Sequence, residues 1–360
     1  MARDPGLAAW LRLTLTPGLG GAALRELLGR YGLPERVLGA PRAELARHAP
    51  GAAIDALDSE AIARQVEHVL AWVEHPGNAV VALGDANYPR LLLETADPPA
   101  LLYCRGRLEL LNRRSLAVVG SRNATAQGTR DAERFARAFS EAGLTIVSGL
   151  AQGADAAAHR GGLAGAGSTV AVLGTGVDRV YPLAHAALAD QIAEHGLLVS
   201  EFALGTRALA HHFPRRNRLI SGLAQGCLVI EAALGSGSLI TARAAAEQGR
   251  EVFALPGSIH SPLSKGCHAL IKSGAKLVES AEDVLAELGG LERAQPAPAA
   301  AAPALPAEPL LAHMGFEPVD VDTLCARAGL SAQRVTAELL RLELAGRVAT
   351  LPGGLYQRLH

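Results

Sequence analysis

The sequence predicts an α/β protein built on a doubly wound, mainly parallel sheet. From Leu116 onward, short apolar runs alternate with helical stretches and are joined by short loops, which is the pattern of right-handed βαβ units. The first run, Leu116–Val119, is continuously apolar, as expected of a strand buried on both faces. The composition is 49% hydrophobic but only 4% aromatic, so small side chains allow helices to pack closely on the sheet.

Length, charge and cysteine content limit the possible domain organisation and the possible kinds of binding site. A chain of 360 residues exceeds one average domain and accommodates a large core with smaller appendages. The formal net charge is −1, so any surface that binds nucleic acid must be a local patch. The four cysteines form no CxxC pair, which disfavours a metal site or a disulfide framework and predicts reduced thiols.

The sequence contains no evident targeting or membrane-spanning segment. Its first residues do not combine a basic region with a long apolar core, and no run approaches the ~20 apolar residues of a membrane span. We therefore expect a soluble cytoplasmic protein with no membrane partner.

Residues 1–75 are predicted to form an N-terminal helical domain, and 76–111 a connector that packs on the core. Short amphipathic helices interrupted by Pro and Gly fill the first segment. Within it, Thr16–Leu28 has the turn-then-helix pattern of a helix-hairpin-helix or SAM-like domain, in which loop amides can meet a DNA phosphate. Few basic residues surround this turn, so helical packing without a DNA site is the preferred interpretation.

Residues 112–290 are predicted to form a Rossmann-like domain. Helical stretches, notably Gln127–Ala142 and Ala242–Gln248, separate its strands. Because parallel strands place their carboxyl ends at one edge of a sheet, the loops after them are expected to form the ligand-binding edge. The predicted strands are Ser115–Val119, Thr145–Ser148, Thr169–Leu173, Leu197–Ser200, Leu228–Glu231, Val252–Leu255 and Lys276–Val278.

Residues 291–308 are predicted to be a linker, and 309–360 a winged-helix domain. Gln295–Ala307 consists almost only of Ala and Pro, which cannot bury a core and favours extended chain. Beyond it, two helices, the second capped by Ser331, precede a small hairpin. The second helix balances its arginines with glutamates, so a protein contact is at least as plausible as major-groove DNA binding.

Arg122 follows the first buried strand, where a helix is about to begin. In open α/β sheets phosphate-bearing ligands bind at this place, because helix-start amides and a guanidinium both point at the anion. Gly120 allows a tight turn, and Ser121, Asn123 and Thr125 supply donors. Taken alone, Arg122 also fits a solvated loop arginine; the loops downstream favour the phosphate site.

Two further loops lie at the same predicted edge. The first contains Gly149 and enters a helix with Asp155 and His159 one turn apart, a spacing that permits an acid–base pair or, as we prefer, a buried orienting pair. The second is densely cationic at a helix start, which opposes the helix macrodipole and indicates that an anion binds there. Its residues are Arg207, His211, His212, Phe213, Arg215, Arg216, Asn217 and Arg218.

A third loop places glycines and hydroxyl groups between a strand and a helix. It runs from Glu231 through Ser236, Gly237 and Ser238 to Thr241, and a later loop carries Lys265. The chain has neither a Walker A lysine nor a GxGxxG fingerprint in these loops, so we predict no nucleotide cofactor and no catalytic residues.

These motifs together resemble the DNA-processing protein A family, also called Smf, over about residues 101 to 288. The resemblance implies an extended Rossmann fold that binds and protects incoming single-stranded DNA, forms a homodimer and loads the recombinase RecA in natural transformation or recombination, without catalysis. Single-strand-binding protein is a further candidate partner. The motifs are Val119-Gly120-Ser121-Arg122, Ser148-Gly149-Leu150-Ala151 with Gly153, Asp155 and His159, Phe213-Pro214 with Arg216-Asn217-Arg218-Leu219-Ile220, Glu231-Ala232 with Ser236 to Ala242, and Pro256-Gly257 through Gly266, Leu270-Ile271 and Gly274-Ala275.

Residue by residue, this reading predicts a phosphate-binding set and a supporting set. Phe213 is available for base stacking, whereas His268 stands where many relatives have Asn, which weakens the expectation of a specific base contact. The phosphate-binding set is Gly120, Ser121, Arg122, Gly149, Arg215, Arg216, Asn217, Arg218, Ser236, Gly237, Ser238 and Lys265, and the supporting set is Asp155, His159, Glu231 and Thr241.

Two other functions stay open from the sequence. The domain also resembles nucleoside-monophosphate phosphoribohydrolases, in which a Glu and an Arg act on an N-glycosidic bond, but it lacks their Pro-Gly-Gly-x-Gly-Thr loop; release of free base from AMP would support this enzyme. A winged-helix transcriptional regulator is the other alternative, and specific duplex binding by residues 319–360 would support it.

Overall fold

The computed structural model describes residues 5–289 and 309–359, so the predicted linker 291–308 lies outside the described residues. A nine-stranded sheet forms the centre, and a separate three-stranded sheet lies near the carboxyl terminus. The predicted α/β class and the winged helix are confirmed. The strands are β1 (Asn78–Ala82), β2 (Leu101–Gly106), β3 (Ser115–Val119), β4 (Thr145–Ser148), β5 (Thr169–Val172), β6 (Leu197–Ser200), β7 (Gly226–Val229), β8 (Glu251–Ala254), β9 (Lys276–Leu277), β10 (Val319–Asp320), β11 (Val348–Leu351) and β12 (Leu355–Arg358).

The large sheet has the order β1-β2-β6-β5-β4-β3-β7-β8-β9. Strands β3 to β9 pair in parallel, whereas β1 and β2 pair antiparallel. The chain winds outward from β3 in one direction through β4, β5 and β6, and in the other through β7, β8 and β9. The strand order therefore reverses between β3 and β7, and a crevice is expected outside the carboxyl ends of these strands.

Two features of the sheet differ by more than one residue from the sequence-based expectations. Strands β1 and β2 lie in the segment predicted as an irregular connector. The local pattern does not reveal them because β1 pairs with β2 across the intervening turns, and Tyr103 of β2 pairs with the distant Ser200 of β6. Strand β7 begins and ends two residues before the predicted Leu228–Glu231, because Gly226 pairs with Glu251 and Cys227 with Ala117. As a result, Glu231 leaves the sheet and enters the loop at its edge.

Helices cover both faces of the large sheet, and the alternation of side chains along β3 shows which face each helix covers. Leu116 and Val118 pack with residues of α8 (Ala126–Glu141) and α9 (Ala154–Leu163), whereas Ala117 and Val119 pack with residues of α11 (His212–Gly222) and α12 (Ser238–Glu247). This period of two is the normal geometry of a strand that is buried on both faces. The helices of this region are α7 (Arg90–Leu93), α8 (Ala126–Glu141), α9 (Ala154–Leu163), α10 (Ala186–His195), α11 (His212–Gly222), α12 (Ser238–Glu247), α13 (Lys265–Lys272) and α14 (Ala281–Glu287).

The N-terminal helices form a small core of their own and also pack on the sheet. Leu27, Val37 and Leu57 are fully buried within that core, while Leu11 and Val69 pack with residues of β2, β5 and β6. These helices therefore cover the end of the sheet that carries the antiparallel strands. They are α1 (Pro5–Leu15), α2 (Gly21–Tyr31), α3 (Pro34–Gly39), α4 (Arg42–Leu45), α5 (Gly51–Ala56) and α6 (Glu60–Val73).

The winged helix consists of three helices and the three-stranded sheet β10-β12-β11. Gly329 ends the second helix at φ +65°, and Ser331 caps the third by accepting from the amide of Arg334 at 3.5 Å, as predicted. Among the described residues, no helix combines the length and apolar character needed to cross a bilayer. The helices are α15 (Pro309–Met314), α16 (Val321–Ala328) and α17 (Ala332–Leu344).

Candidate functional site

A cleft of about 430 Å³ opens at the point where the strand order reverses. Loops that follow β3, β4 and β7 form its walls together with the start of α11, as the parallel topology predicts. We call it the switch-point cleft. Of the predicted phosphate-binding and supporting residues, those that line it are Gly120, Ser121, Arg122, Asp155, Arg216, Asn217, Ser236, Gly237, Ser238 and Thr241; Phe213, the candidate for base stacking, lines it as well.

The loop after β3 lies directly against the start of α9. The Ser121 carbonyl accepts from the amide of Ala154 at 3.2 Å. A Cβ on Gly120 would lie 2.6 Å from the Cβ of Ala154, and one on Gly153, which has φ +73°, would lie 2.3 Å from the carbonyl oxygen of Ser121. Only glycine fits at these two positions, and the close approach holds the backbone of residues 120–122 at the cleft.

Arg122 is the exposed cation of the switch-point cleft. Among the described residues its guanidinium has no hydrogen-bonding or ion-pair partner, and it lies 5.8 Å from the centroid of the Phe213 ring. The neighbouring Ser121 is buried, and its Oγ accepts from the Asn123 amide at 3.1 Å. The loop is thus internally bonded, while the charge it carries remains available to a ligand.

Glu231 is bonded to the start of α8 and does not line the cleft. Its carboxylate accepts from the Thr125 amide at 2.9 Å and from the Thr125 hydroxyl at 2.7 Å, and a Cβ on Gly128 would lie 2.4 Å from its Cδ. Burial raises the pKa of Glu231. The sequence suggests that the amides at this helix start point at a ligand; in the structure the Thr125 amide is occupied by this internal carboxylate.

Asp155 and His159 hold the loop after β4, and they are not bonded to each other. Asp155 Oδ2 accepts from the amides of Gly149 and Ala151 at 3.2 and 3.4 Å, and His159 Nε2 accepts from the amide of Leu150 at 3.2 Å. Leu150 has φ +57°, a left-handed conformation that is strained for a residue with a side chain. Asp155 and His159 therefore do not form an acid–base pair with each other; each fixes backbone amides of this loop separately.

His159 predicts a specific dependence of stability on pH. Burial, assisted by the nearby charge of Arg216, lowers its pKa to about 3 from the ordinary 6.5, and its Nδ1 is bonded to Thr169 Oγ1 at 2.7 Å. Between these values the unfolded chain binds a proton that the folded chain excludes, so this contribution is complete above pH 6.5 and is lost on acidification. We expect about 1.4 kcal/mol of lost unfolding free energy per pH unit within that window.

His159→Gln should remove this part of the pH dependence, because a glutamine amide retains one acceptor and one donor but does not titrate. Urea unfolding of both proteins between pH 7 and pH 4 gives the slope of the unfolding free energy against pH for each protein. The contributions of other titrating groups cancel in the difference between the two slopes. Equal slopes would contradict the assignment of a neutral, buried His159.

Arg216 also lines the cleft, but its guanidinium is bonded to the protein. The side chain is buried, and Nη1 donates to the carbonyl of Gly149 at 2.6 Å and to the carbonyl of Val172. Its Nε donates to Asn217 Oδ1 at 3.2 Å. A Cβ on Gly149 would lie 2.6 Å from this guanidinium. Arg216 therefore ties together the ends of β4 and β5 and adds positive charge beneath the cleft.

Arg215, Arg218 and Lys265 lie outside the switch-point cleft. Arg215 and Arg218 both form ion pairs with Glu201, whose side chain is only 2% exposed. They line a second cleft of about 540 Å³ between α2 and the sheet, where Glu201 pairs with both arginines and Asp97 pairs with Arg218. Lys265 begins α13, and its Nζ donates to the carbonyl of Ile259. The structure thus separates these three from the other predicted phosphate-binding residues.

The start of α12 forms the open wall of the switch-point cleft. Ser236 Oγ and Ser238 Oγ lie 2.7 Å apart, and the Asn217 side-chain amide donates to the carbonyl of Gly237 at 3.3 Å. A Cβ on Gly235 or Gly237 would meet no atom within 4 Å, and neither residue has a positive φ. The packing of the chain does not require these glycines, and they leave space in the cleft.

Sequence reasoning missed Tyr181, which lies beside the cleft with its ring centroid 5.6 Å from that of Phe213. A signal was present: the chain has only five tyrosines, and this one lies in the loop that follows β5 at the same edge of the sheet. The bounds of that loop were too uncertain in the sequence to place the ring.

Comparisons with family models and with known proteins all indicate the same family. A family model described as DNA recombination-mediator protein A matches residues 79–289, and a model of the DprA winged helix domain matches 294–354. Protein Smf of Escherichia coli K12 is 47% identical over 305 residues, which cover 82% of this chain and 81% of the relative. DNA processing protein DprA of Streptococcus pneumoniae is 51% identical over 203 residues, 56% of this chain and 72% of the relative.

Two solved structures are similar in fold and sequence. DNA processing protein A from Streptococcus pneumoniae superposes with a TM-score of 0.66 at 38% identity, covering 78% of this chain and 97% of that one. DNA processing protein A from Helicobacter pylori, a structure described for its unique single-stranded DNA binding mode, superposes with a TM-score of 0.53 at 29% identity. It covers 58% of this chain and 95% of that one.

Proposed function

This chain belongs to the DNA recombination-mediator protein A family, and from that premise we propose that it binds single-stranded DNA through the phosphate backbone at the switch-point cleft. Arg122 is the observation that carries the proposal: an exposed guanidinium without a protein partner among the described residues, set beside glycines and hydroxyl groups at the reversal of strand order. The single-stranded DNA binding described for the Helicobacter pylori relative supports the same assignment.

The chemistry of the cleft favours binding without sequence preference. A guanidinium fork and backbone amides hold phosphates but do not distinguish bases. In this proposal Arg216 adds positive electrostatic potential, and Asn217 and the two serines shape the cleft. Each of these side chains already has a bonding partner in the chain. Affinity should therefore fall with salt, with a log–log slope of about −0.7 for each phosphate neutralised.

We propose further that the protein is not an enzyme. The phosphoribohydrolase alternative needs a Glu that reaches the substrate, whereas both carboxylate oxygens of Glu231 are bonded to Thr125. Asp155 and His159 are similarly bonded to backbone amides of the loop after β4. These contacts support positioning roles for all three.

The partners implied by the family complete the proposal: a homodimer that loads RecA onto the bound strand in transformation or recombination, with single-strand-binding protein as a further candidate. A dimer would join two small phosphate sites on one strand and raise the overall affinity by avidity. The direct test is the rate of RecA filament formation on strands covered by single-strand-binding protein, with and without this protein. An unchanged rate would remove RecA loading and leave the DNA-binding proposal in place.

The binding proposal is tested by fluorescence anisotropy of labelled oligo-dT and a duplex of equal length across a salt series. We expect salt-sensitive binding that favours the single strand. Absence of binding, or preference for the duplex, would overturn the proposal, and assays of AMP hydrolysis would then follow.

Gly237→Glu should block DNA binding while the protein stays folded. The new side chain has space, since no atom lies within 4 Å of the added Cβ, and Gly237 has an ordinary helical φ of −62°. Its carboxylate would enter the cleft and repel a phosphate, so we expect affinity for oligo-dT to fall at least tenfold. Gly39→Glu is the matched control, because Gly39 also has open space around its Cβ but lies in α3. Equal affinities of the two variants would show that the strand does not enter the cleft.

A further inference from the structure

The cleft of about 540 Å³ between α2 and the sheet has walls from two parts of the chain, and we call it the interdomain cleft. The N-terminal helices contribute Leu19, Gly20 and Arg25, and the sheet side contributes Glu201 and Arg218. It shares no lining residue with the switch-point cleft. Its volume lies within the range of about 300–1,000 Å³ that small-molecule sites occupy.

The start of α2 lines this cleft and has no capping side chain. Gly20 precedes the helix in an extended conformation, and a Cβ on it would meet no atom within 4 Å. Leu24 donates the first bond of the helix, to the Gly20 carbonyl at 3.0 Å, so the amides of Gly21, Ala22 and Ala23 have no acceptor within the helix. Such amides, at the positive end of the helix dipole, attract anions.

Helix α11 brings to this turn the cations that the neighbouring sequence lacks. Arg25 pairs with Asp97, Asp97 also pairs with Arg218, and Glu201 pairs with both Arg218 and Arg215. The network alternates in sign and has an arginine at each end, so its three arginines exceed its two carboxylates by one positive charge. The cleft therefore favours an anion, although the sequence around the turn does not.

The Arg25 end of this network lies beside the start of α2. A Cβ on Gly21 would be 3.3 Å from Arg25 Nη1 and 3.7 Å from Asp97 Oδ1. A guanidinium at a helix start opposes the helix dipole, and Asp97 compensates it only in part because Arg218 shares this carboxylate. An anion at this place would contact both the guanidinium and the free amides.

Glu201 leaves one carboxylate oxygen without a partner on the sheet side of the same cleft. Its side chain is only 2% exposed, and Oε2 accepts from both Arg215 and Arg218. Its Oε1 is buried and has no hydrogen-bond partner among the described residues. A buried acceptor without a donor is rare and costly. Since Glu201 lines the cleft, a ligand there can supply the missing donor.

We propose that the interdomain cleft binds a nucleoside 5′-phosphate, with the phosphate at the start of α2 beside Arg25 and a base N–H donating to Glu201 Oε1. Apolar side chains in the lining, among them Leu19, Leu24 and Leu83, suit the flat body of a base. A nucleotide combines an anion, such a body and N–H donors, whereas inorganic phosphate offers only the anion. This inference does not rest on DNA binding at the switch-point cleft.

The test compares full-length Gly20→Asp, Glu201→Gln and Gly51→Asp with the parent, each titrated calorimetrically with GMP, guanosine and ribose 5-phosphate. Aspartate is a favoured residue before a helix, so Gly20→Asp should fold while its carboxylate occupies the phosphate position. Gly51→Asp adds the same charge at the start of α5, where a Cβ also meets no atom within 4 Å, outside the cleft. Glu201→Gln keeps its amide oxygen toward the arginines and puts an NH₂ donor in the place of Oε1.

We expect the parent to bind GMP at least about tenfold more tightly than guanosine or ribose 5-phosphate, because each of these lacks one of the two anchored groups. Gly20→Asp should weaken binding of both GMP and ribose 5-phosphate about tenfold. Glu201→Gln should weaken binding of GMP alone, and its retained binding of ribose 5-phosphate shows that the variant is folded. Gly51→Asp should match the parent.

Two oligo-dT strands, labelled at the 3′ end and carrying either a 5′-phosphate or a 5′-hydroxyl, distinguish the sources of the ligand. If it is the end of a strand, the 5′-phosphate should strengthen binding by the parent and by Gly51→Asp but not by Gly20→Asp. If it is a free nucleotide, the two strands should bind alike and GMP should leave both bound.

The inference fails if the parent does not bind GMP and the 5′-phosphate has no effect on strand binding. Equal GMP affinities of Gly20→Asp and Gly51→Asp would also overturn it, as would parental GMP affinity of Glu201→Gln. Displacement of the 5′-hydroxyl strand by GMP would place the nucleotide in the switch-point cleft instead. Failure of the parent to bind oligo-dT refutes only the proposed function, since the GMP titrations are read without DNA.

Discussion

Arg122→Ala is expected to weaken binding of oligo-dT by about tenfold to a hundredfold. A hydrogen bond to a charged group contributes about 1.5–3 kcal/mol, and Arg122 has no protein partner that would compete for its guanidinium among the described residues. The fold should be unaffected, because the side chain is exposed and lies over the Phe213 ring, 5.8 Å from its centroid, without a hydrogen bond or ion pair to another described residue. Anisotropy across a salt series measures both the affinity and the number of phosphates neutralised.

The salt series makes the Arg122 result specific. The log–log slope should become shallower by about 0.7, since one phosphate contact is removed. Arg122→Lys should give intermediate affinity, because lysine keeps the charge but loses the planar fork. Arg64→Ala is the matched control: Arg64 is exposed on α6, where it pairs with Glu60. If Arg122→Ala and Arg64→Ala bind alike, the switch-point cleft is not the phosphate site.

Arg216→Met is expected to destabilise the folded protein by about 3–5 kcal/mol, the range for removing one partner from a buried charged network. The substitution leaves the carbonyls of Gly149 and Val172 without their donor and leaves buried Asp155 without the nearby positive charge that lowers its pKa against the opposing effect of burial. Urea unfolding measures the loss. Arg137→Met is the control, because Arg137 is 61% exposed and its pair with Glu141 lies on the surface of α8, where such pairs contribute about 0–1 kcal/mol.

The two arginine substitutions distinguish a residue that binds ligand from one that positions the site. Arg122→Ala should lower DNA affinity at unchanged stability, whereas Arg216→Met should lower stability first and DNA affinity as a result. Arg216→Met with parental stability but without DNA binding would mean that Arg216 turns toward the strand, and the positioning role would then be wrong.

The local pattern of the sequence was sufficient to predict the parallel strands, the helices between them and the edge of the sheet at which the cleft lies. Continuous apolar runs such as Ser115–Val119 indicate strands that are buried on both faces. Short loops between strands and helices indicate parallel strands, whose carboxyl ends lie together at one edge of the sheet. The antiparallel strands β1 and β2 were missed because their pairing is not local. The bond between Glu231 and Thr125 was hidden for the same reason, since it joins residues 106 positions apart.

By itself the sequence determined which loops meet at the switch-point cleft; only the tertiary structure decided which of the predicted arginines reach it and are available to a ligand. Arg215, Arg216 and Arg218 are equivalent as a sequence pattern, yet each residue of a helix is rotated about 100° from the last, so neighbours point in different directions. Arg215 and Arg218, three residues apart, share the face of α11 that meets Glu201. Arg216 points beneath the strand ends to the carbonyls of Gly149 and Val172. Arg122, on a loop held by glycine contacts, is the one of these four that tertiary packing leaves without a hydrogen-bonding or ion-pair partner among the described residues.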